Sequence, residues 1–182
     1  MLITSTMKSK LILVLTVALV IVLVDHATKW LIVENLAFTD KIPVIPNIFD
    51  IIHTRNTGAA FGFLSTWHSP LRDWFFYGVG LVAFFFLYHY VKSTPASDRL
   101  TLLALAFITG GAIGNLSDRF WRGSVVDFLS VHYYQETLQF SFFGSQIVIP
   151  LIWPAFNVAD SAICIGVTVL IIQNFRRNPE AG

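Results

Sequence analysis

The chain has 182 residues, of which 55% are apolar and 13% are charged, and its formal net charge is +1. A mean hydropathy of +0.67 indicates a membrane protein rather than a soluble domain. The sequence has no basic run to neutralise a phosphate backbone, so its composition excludes nucleic acid as a partner. We therefore expect membrane lipid to surround the protein.

Four stretches approach the roughly 20 apolar residues that a spanning helix needs. They are residues 11–33, 74–91, 100–116 and 155–172. The first follows Lys8 and Lys10 and so resembles a signal peptide, but no small-residue cleavage site follows it and its apolar character continues beyond Asp25. We expect it to be retained as an anchor, with residues 1–182 forming a single membrane-embedded domain.

The basic residues indicate how the spans are oriented. One set lies in very short segments close to the spans, where the positive-inside rule is strongest. This set is Lys8, Lys10, Lys92, Arg99, Arg176 and Arg177. An equal number of basic residues lies on the opposite side. The orientation is therefore predicted from how densely the basic residues occur in the short segments, not from their number. We expect both termini in the cytoplasm and the two long connections, residues 34–73 and 117–154, on the outer side.

Both long connections carry β-strand signals. In the first, residues 41–46 and 48–54 are rich in β-branched and aromatic side chains and contain prolines that would interrupt a helix. In the second, residues 139–143 and 146–149 flank a Gly-Ser pair typical of a hairpin turn. The predicted fold is an all-α membrane bundle of four transmembrane helices with a small extracytoplasmic β element.

Polar residues are concentrated at the predicted outer helix ends. Ionisable groups near a bilayer core are costly, so such a concentration indicates a functional site. Asn115, Asp118 and Arg119 follow the third span at i, i+3 and i+4, and they share one face if the helix continues. Asn157 and Asp160 share a face at the start of the fourth span. These two faces form opposing walls of a polar site.

Asp127 stands between the two walls in sequence and follows Gly123, where a turn can bring it back over the bundle. Pro154 is well placed to open the fourth helix. Asp127 and Asp160 can then meet and share a proton, because repulsion raises the pKa of one carboxyl. Such a pair can hydrolyse a peptide bond with water, with no cofactor and no covalent intermediate.

Other interpretations of the same residues remain open. Asp127 and Asp160 can equally be ion-pair partners of Arg119 and Arg122. A proton-coupled transporter would use the aspartates as a relay, and a scaffold protein would use the aromatic outer loops as binding surfaces.

Two further kinds of chemistry need separate consideration. Ser161 or Ser124 can form a nucleophilic dyad with Lys29. The five histidines show no metal-ligand spacing, so we predict no metal. The single cysteine, Cys164, allows no intrachain disulfide.

Five segments resemble, in order, the motifs of the lipoprotein signal peptidase (type II) family. They are residues 25–29 (DHATK), 56–61 (NTGAAF), 110–119 (GGAIGNLSDR), 125–128 (VVDF) and 156–161 (FNVADS). Because they extend from the first span to the fourth, the resemblance covers nearly the whole chain. It implies an aspartic endopeptidase of the bacterial inner membrane that acts on diacylglyceryl-modified prolipoproteins. The implied cleavage lies on the amino side of the lipid-modified cysteine.

The resemblance also implies a function for individual residues. It makes Asp127 and Asp160 the catalytic pair, near the extracytoplasmic interface. Residues that match the family's polar groups around the substrate and the dyad are Asn56, Asn115, Arg119 and Asn157. Residues expected to give structural support are Asp25, Lys29, Gly111, Gly114 and Asp118. We expect the protein to be a monomer.

One segment departs from the family pattern. The connection between Asp127 and Asp160 is longer than in the family, so residues 131–150 resemble an insertion. Their apolar side chains allow this segment to lie on the bilayer surface, to cap the site, or to be an inert addition.

Overall fold

A computed structural model describes residues 5–58, 70–143 and 145–177 of the chain. Within them, four helices are long and apolar enough to cross a membrane. These are α1 (Ser5–Asn35), α2 (Pro70–Ser93), α3 (Arg99–Arg122) and α4 (Val158–Arg177). The prediction of a four-span membrane protein is confirmed, and the helices extend beyond most of the predicted span boundaries.

Helix α3 is a single helix from Arg99 through the polar residues that follow the third predicted span. Its N-cap is Asp98, whose side chain accepts a hydrogen bond from the Thr101 N–H at 3.2 Å. It ends where Gly123 adopts a left-handed conformation, with φ of 66°, and donates its N–H to the Arg119 carbonyl at 2.9 Å. The turn expected at Gly123 is therefore present.

Helix α4 begins later than the sequence suggested. Pro154 does not open it, and the preceding residues stay extended because Phe156 forms a bridge with Leu129. The Phe156 N–H donates to the Leu129 carbonyl at 3.0 Å, and the Leu129 N–H donates back at 2.8 Å. The helix starts only at Val158, with Asn157 immediately before it.

The two long connections combine into one antiparallel sheet. Its strands are β1 (Lys41–Ile45), β2 (Phe49–Asn56), β3 (Val125–Phe142) and β4 (Ser145–Ile152), in the order β1-β2-β3-β4. The strands expected in each connection are present, but the sequence did not predict that β2 pairs with β3. This pairing places both connections at the same end of the helix bundle.

The predicted hairpin between β3 and β4 is also present. Phe140 pairs with Ile147, as the flanking strand-like runs required. The turn lies one residue earlier than expected, because Ser145 pairs with Phe142 and so belongs to β4. Residues 131–150, the possible insertion, make up most of this hairpin.

Helix α3 lies at the centre of the bundle and packs closely on both α1 and α4. A Cβ atom added at Gly110 would lie 2.9 Å from the Ala18 carbonyl oxygen of α1. A Cβ atom added at Gly111 would overlap the Ala159 carbonyl oxygen of α4. Neither partner is a flexible side chain, so only glycine allows these two backbones to approach so closely.

Replacing Gly111 by alanine should therefore destabilise the protein, by about 1–3 kcal/mol if it behaves as other overpacked sites do. The matched control is Gly78→Ala on α2, where an added Cβ meets no atom within 4 Å. Alanine there should be neutral or stabilising by roughly 0.5–1 kcal/mol, because it is the better helix former. Thermal unfolding in detergent measures both effects. Equal midpoints for the two variants would contradict the close packing of α3 on α4.

Candidate active site

Asn157 links the two aspartates of the predicted pair. Asp127 lies on β3 and is 2% exposed, while Asp160 lies in the first turn of α4 and is partly buried. The Asn157 side-chain amide donates to Asp127 Oδ1 at 2.8 Å. Its backbone N–H donates to Asp160 Oδ2 at 3.2 Å. One residue therefore binds both carboxylates and holds them on the same side of the sheet–helix junction.

The start of α4 holds Asp160 by local interactions. The Asp160 N–H donates to Asn157 Oδ1 at 2.9 Å, and the Asp160 carboxylate accepts from the Asn157 N–H in return. This reciprocal arrangement is a capping box with aspartate at its third helical position. The partial positive charge of the helix N-terminus also favours a carboxylate there. The three-residue spacing of Asn157 and Asp160 was the sequence signal for this contact.

Asn115 on α3 holds the other oxygen of Asp160. Its side-chain Nδ2 donates to Asp160 Oδ1 at 2.7 Å. Its Oδ1 accepts from Lys29 Nζ at 3.0 Å and from Asn157 Nδ2 at 3.1 Å. Because a lysine ammonium can only donate, Lys29 determines which way the Asn115 amide points. The amide donor is thereby directed at Asp160.

Lys29 is fully buried and is surrounded by acceptors. Its ammonium lies 2.8 Å from Asp25 Oδ2 and 3.2 Å from Asp118 Oδ2, and all three side chains have 0% exposure. Together with the Asn115 oxygen, these groups provide one acceptor for each of the three ammonium protons. The sequence predicted only the Asp25–Lys29 contact.

The two aspartates around Lys29 also hold the backbone of the segments that carry the pair. Asp25 Oδ1 accepts from the Ala159 N–H at 2.9 Å, beside Asp160. Asp118 Oδ2 accepts from the Val126 N–H at 3.0 Å, beside Asp127. Neither contact was predicted from the sequence, because each joins a side chain to a backbone group on a different element.

Neither arginine forms a direct ion pair with the two aspartates within the described residues. Arg122 pairs with Asp118, one helical turn before it, and this i, i+4 spacing could have been found from the sequence. The Arg119 guanidinium donates to the Thr57 carbonyl at 3.3 Å and to the Gly58 carbonyl. The charge of Arg119 acts on Asp127 and Asp160 only from a longer distance, so the interpretation of the two aspartates as direct ion-pair partners of the arginines is wrong.

Arg119 and Asn56 instead organise the chain that follows β2. The Arg119 guanidinium carbon also lies 4.0 Å from the centre of the Phe76 ring on α2. Asn56 Oδ1 accepts from the Gly58 N–H at 3.0 Å, and the Asn56 side chain hydrogen-bonds Asp127. Residues 59–61, the remainder of this motif, lie outside the described residues.

The environment of Asp127 favours its protonated form. Burial is the main cause, and repulsion from Asp160 adds to it, so the pKa of Asp127 rises from 3.8 to about 6. Hydrogen bonds from Asn56 and Asn157 and the charge of Lys29 act in the opposite direction. With a second carboxyl beside it, Asp127 can therefore share one proton with that group near neutral pH.

Within residues 5–58, 70–143 and 145–177, no three histidine, cysteine, aspartate or glutamate side chains are grouped to hold a metal ion. The surroundings of the aspartate pair consist instead of amides and the Lys29 ammonium.

Comparisons with known proteins agree with one another. Residues 17–176 match the family model for signal peptidase (SPase) II. The lipoprotein signal peptidase of Syntrophotalea carbinolica is 42% identical over 164 residues, which cover 90% of this chain and 91% of that protein. A bacterial membrane enzyme solved in meso at 2.3 Å has a TM-score of 0.73 and 29% identity, covering 93% of this chain and 91% of its own. A second bacterial membrane enzyme, solved in meso at 1.9 Å, has a TM-score of 0.68 and 28% identity, covering 88% of this chain and 90% of its own.

The raised pKa of Asp127 predicts how stability depends on pH. Between about pH 4 and pH 6 the folded protein binds more protons at Asp127 than the unfolded chain does, so the free energy of unfolding falls as pH rises through this window. Asp127→Asn removes this pH-dependent loss of stability, and its side-chain oxygen can still accept the hydrogen bond from Asn157. Its stability relative to wild type should increase from pH 4 to pH 6, by up to about 3 kcal/mol, and then stay constant.

Thermal unfolding in detergent across this pH range measures the effect. Glu34→Gln is the matched control, because it removes an exposed carboxylate from the end of α1. Parallel stability curves for wild type and Asp127→Asn would show that Asp127 has no raised pKa.

Proposed function

The chain belongs to the signal peptidase II family, whose members remove signal peptides from prolipoproteins, and it is therefore a membrane protease. We propose that Asp127 and Asp160 are its catalytic pair. We further propose that its substrates are diacylglyceryl-modified prolipoproteins, cleaved on the amino side of the modified cysteine. The observation that carries the proposal is that Asn157 binds both carboxylates, one of them 2% exposed, at the junction of sheet and helices.

The chemistry follows from two carboxyls that share one proton. The ionised carboxylate takes a proton from water as the water oxygen bonds to the scissile carbonyl carbon. The protonated carboxyl donates to the carbonyl oxygen, so the charge that develops there is neutralised. The carbon–nitrogen bond then breaks as a proton reaches the leaving amine. The pKa of about 6 for Asp127 supports this, since a carboxyl with an ordinary pKa would hold no proton near pH 7.

The neighbouring amides position the pair rather than reacting. Asn157 and Asn115 donate hydrogen bonds to particular oxygens of the two carboxylates, and these bonds restrict how each carboxylate can rotate. Lys29 acts one step further away, because it orients the Asn115 amide. Arg119 holds the carbonyl groups of residues 57 and 58, and this segment is our candidate surface for the extended substrate peptide.

The position of the site suits a substrate that is anchored by lipid. The aspartates lie where the sheet meets the ends of α3 and α4, so the scissile bond can enter a polar site while the acyl chains stay in the bilayer. We propose that both termini are cytoplasmic, as the basic residues indicate, and that the sheet lies outside the inner membrane. A monomer without a cofactor suffices for this mechanism.

A serine–lysine dyad has less support. The three ammonium protons of Lys29 are matched by Asp25, Asp118 and Asn115. The Ser161 hydroxyl donates to the Asn157 carbonyl at 2.9 Å, as expected for a serine in the first turn of a helix. Lys29 is therefore not placed to activate Ser161.

The central prediction concerns the two carboxyls. Asp127→Asn and Asp160→Asn should each lower the rate of signal-peptide release by at least about 10²–10⁴-fold, because each removes a proton donor or acceptor while preserving shape. The measurement is cleavage of a diacylglyceryl-modified prolipoprotein by purified protein in detergent, beside the same protein without the lipid. Wild type should cleave only the lipidated form.

Ser161→Ala is the matched control, since it alters the neighbouring residue of α4 and tests the alternative nucleophile. It should retain activity. Near-full activity in either aspartate variant would refute the catalytic pair, and cleavage of the unlipidated protein would refute the proposed substrate class. A correctly folded wild type that cleaves neither protein would refute both.

The positioning function of Asn115 gives a separate prediction. Asn115→Ala leaves both carboxyls in place but removes the hydrogen bond to Asp160, and a misplaced catalytic group can cost about 10²-fold in rate. We expect kcat to fall by up to that factor, with KM little changed. Steady-state kinetics with the lipidated substrate separate the two constants. Thr109→Ala, which removes only an intrahelical bond of α3, is the control, and an unchanged kcat in Asn115→Ala would contradict the positioning function.

A further inference from the structure

The distal part of the β3–β4 hairpin has one apolar and one polar face. Residues that pair directly across two antiparallel strands point to the same face, and successive pairs alternate between faces. The pairs on the apolar face are Leu138 with Ile149 and Phe140 with Ile147. The pairs on the other face are Gln139 with Val148 and Ser141 with Gln146. Apart from Val148, these four central pairs divide into an apolar and a polar face.

The apolar face is not covered by the rest of the described chain. Leu138 is 48% exposed, Phe140 40% and Ile149 43%. Strand β4 is at the edge of the sheet and, within the described residues, pairs only with β3. A two-stranded ribbon without a packed face is marginally stable in water, and exposed apolar patches of this kind mark contact surfaces. An apolar partner on this face would therefore stabilise the hairpin.

The base of the hairpin is fixed to the rest of the sheet. His132 on β3 lies 2.5 Å from the buried Asp50 carboxylate on β2, and Lys41 on β1 lies 2.8 Å from the same carboxylate. The His132 N–H also donates to the Ile48 carbonyl at 2.9 Å. The ribbon thus extends from a sheet that is joined to the ends of the four spanning helices, where the bilayer surface lies.

Aromatic residues at the base of the hairpin support the same location. Tyr133 is 64% exposed, Tyr134 65% and Trp153 59%. Tyrosine and tryptophan are enriched where membrane meets water, because one end of each side chain is apolar and the other can hydrogen-bond. The base of the hairpin therefore carries exposed side chains that suit the boundary between membrane and water.

Charge distinguishes the bilayer from other partners. Residues 131–152 contain no lysine or arginine and a single acidic residue, Glu136, so the segment has no charge with which to bind an anionic surface or an acidic protein. Strand β4 contains Pro150, which has no N–H to donate, and this disfavours pairing with a second copy along the edge.

We propose that residues 137–149 form a membrane-surface anchor, with the apolar face of the hairpin inserted at the boundary between lipid headgroups and acyl chains. This placement requires only the spanning helices and is independent of the proposed chemistry. Insertion is driven by apolar contact, so it needs no anionic lipid.

Site-directed spin labelling tests the proposal in phosphatidylcholine vesicles. Because Cys164 is the only cysteine, Cys164→Ala gives a background for single labels. Phe140→Cys and Ile149→Cys report on the apolar face, and Gln139→Cys and Ser141→Cys are matched controls on the polar face. The ratio of collisions with oxygen to collisions with a water-soluble nickel chelate rises with depth in the bilayer. It should be higher at both apolar-face sites than at both polar-face sites, and unchanged by anionic lipid or salt.

Equal ratios on the two faces, with high access to nickel, would overturn the proposal. Labels shielded from both reagents would show that protein covers the face, and dipolar broadening relieved by unlabelled protein would identify a second copy. Each variant must keep the unfolding midpoint of the Cys164→Ala background. If Phe140→Cys fails to fold, Ile149→Cys against Gln139→Cys decides the outcome. Peptidase activity is not a readout, so a failure here is distinct from a failure of the proposed function.

Discussion

The buried ammonium of Lys29 connects the segments on which the site depends. It lies on α1 and contacts Asp25 on the same helix, and it contacts both Asp118 and Asn115 on α3. Asp25 in turn accepts a backbone hydrogen bond from the start of α4, and Asp118 accepts one from the start of β3. The segments that carry Asp160 and Asp127 are therefore held to the same cation by one intervening side chain each.

Charge balance explains how such a cluster can persist among spanning helices. The two buried carboxylates, Asp25 and Asp118, are matched by Lys29 and by Arg122, which pairs with Asp118. Removing one partner from a buried charge pair commonly costs about 3–5 kcal/mol, because an uncompensated charge remains. The cluster thus strongly constrains the relative positions of α1 and α3 around Lys29. It leaves the Asn115 amide only one useful orientation, with its donor directed at Asp160.

The sequence was informative wherever the interactions are local. Hydropathy located the four spans, and the spacing of Asn157 and Asp160 indicated a shared face because a capping box is built within one turn. It could not show that β2 pairs with β3, because that pairing joins segments on either side of two helices. It also could not show that Lys29 binds Asn115, since that contact depends on how closely α1 and α3 approach at Gly110.

The error at Pro154 shows how tertiary pairing creates the site. A helix that began directly after Pro154 would place Asn157 inside its first turn and Asp160 a full turn deeper in the span. Instead the bridge between Phe156 and Leu129 keeps the chain extended and makes Asn157 the capping residue. Only there can its backbone N–H bind Asp160 while its side chain reaches Asp127 on the neighbouring strand. The strand that carries Asp127 therefore also sets where α4 begins, so a single pairing brings both carboxylates to their places.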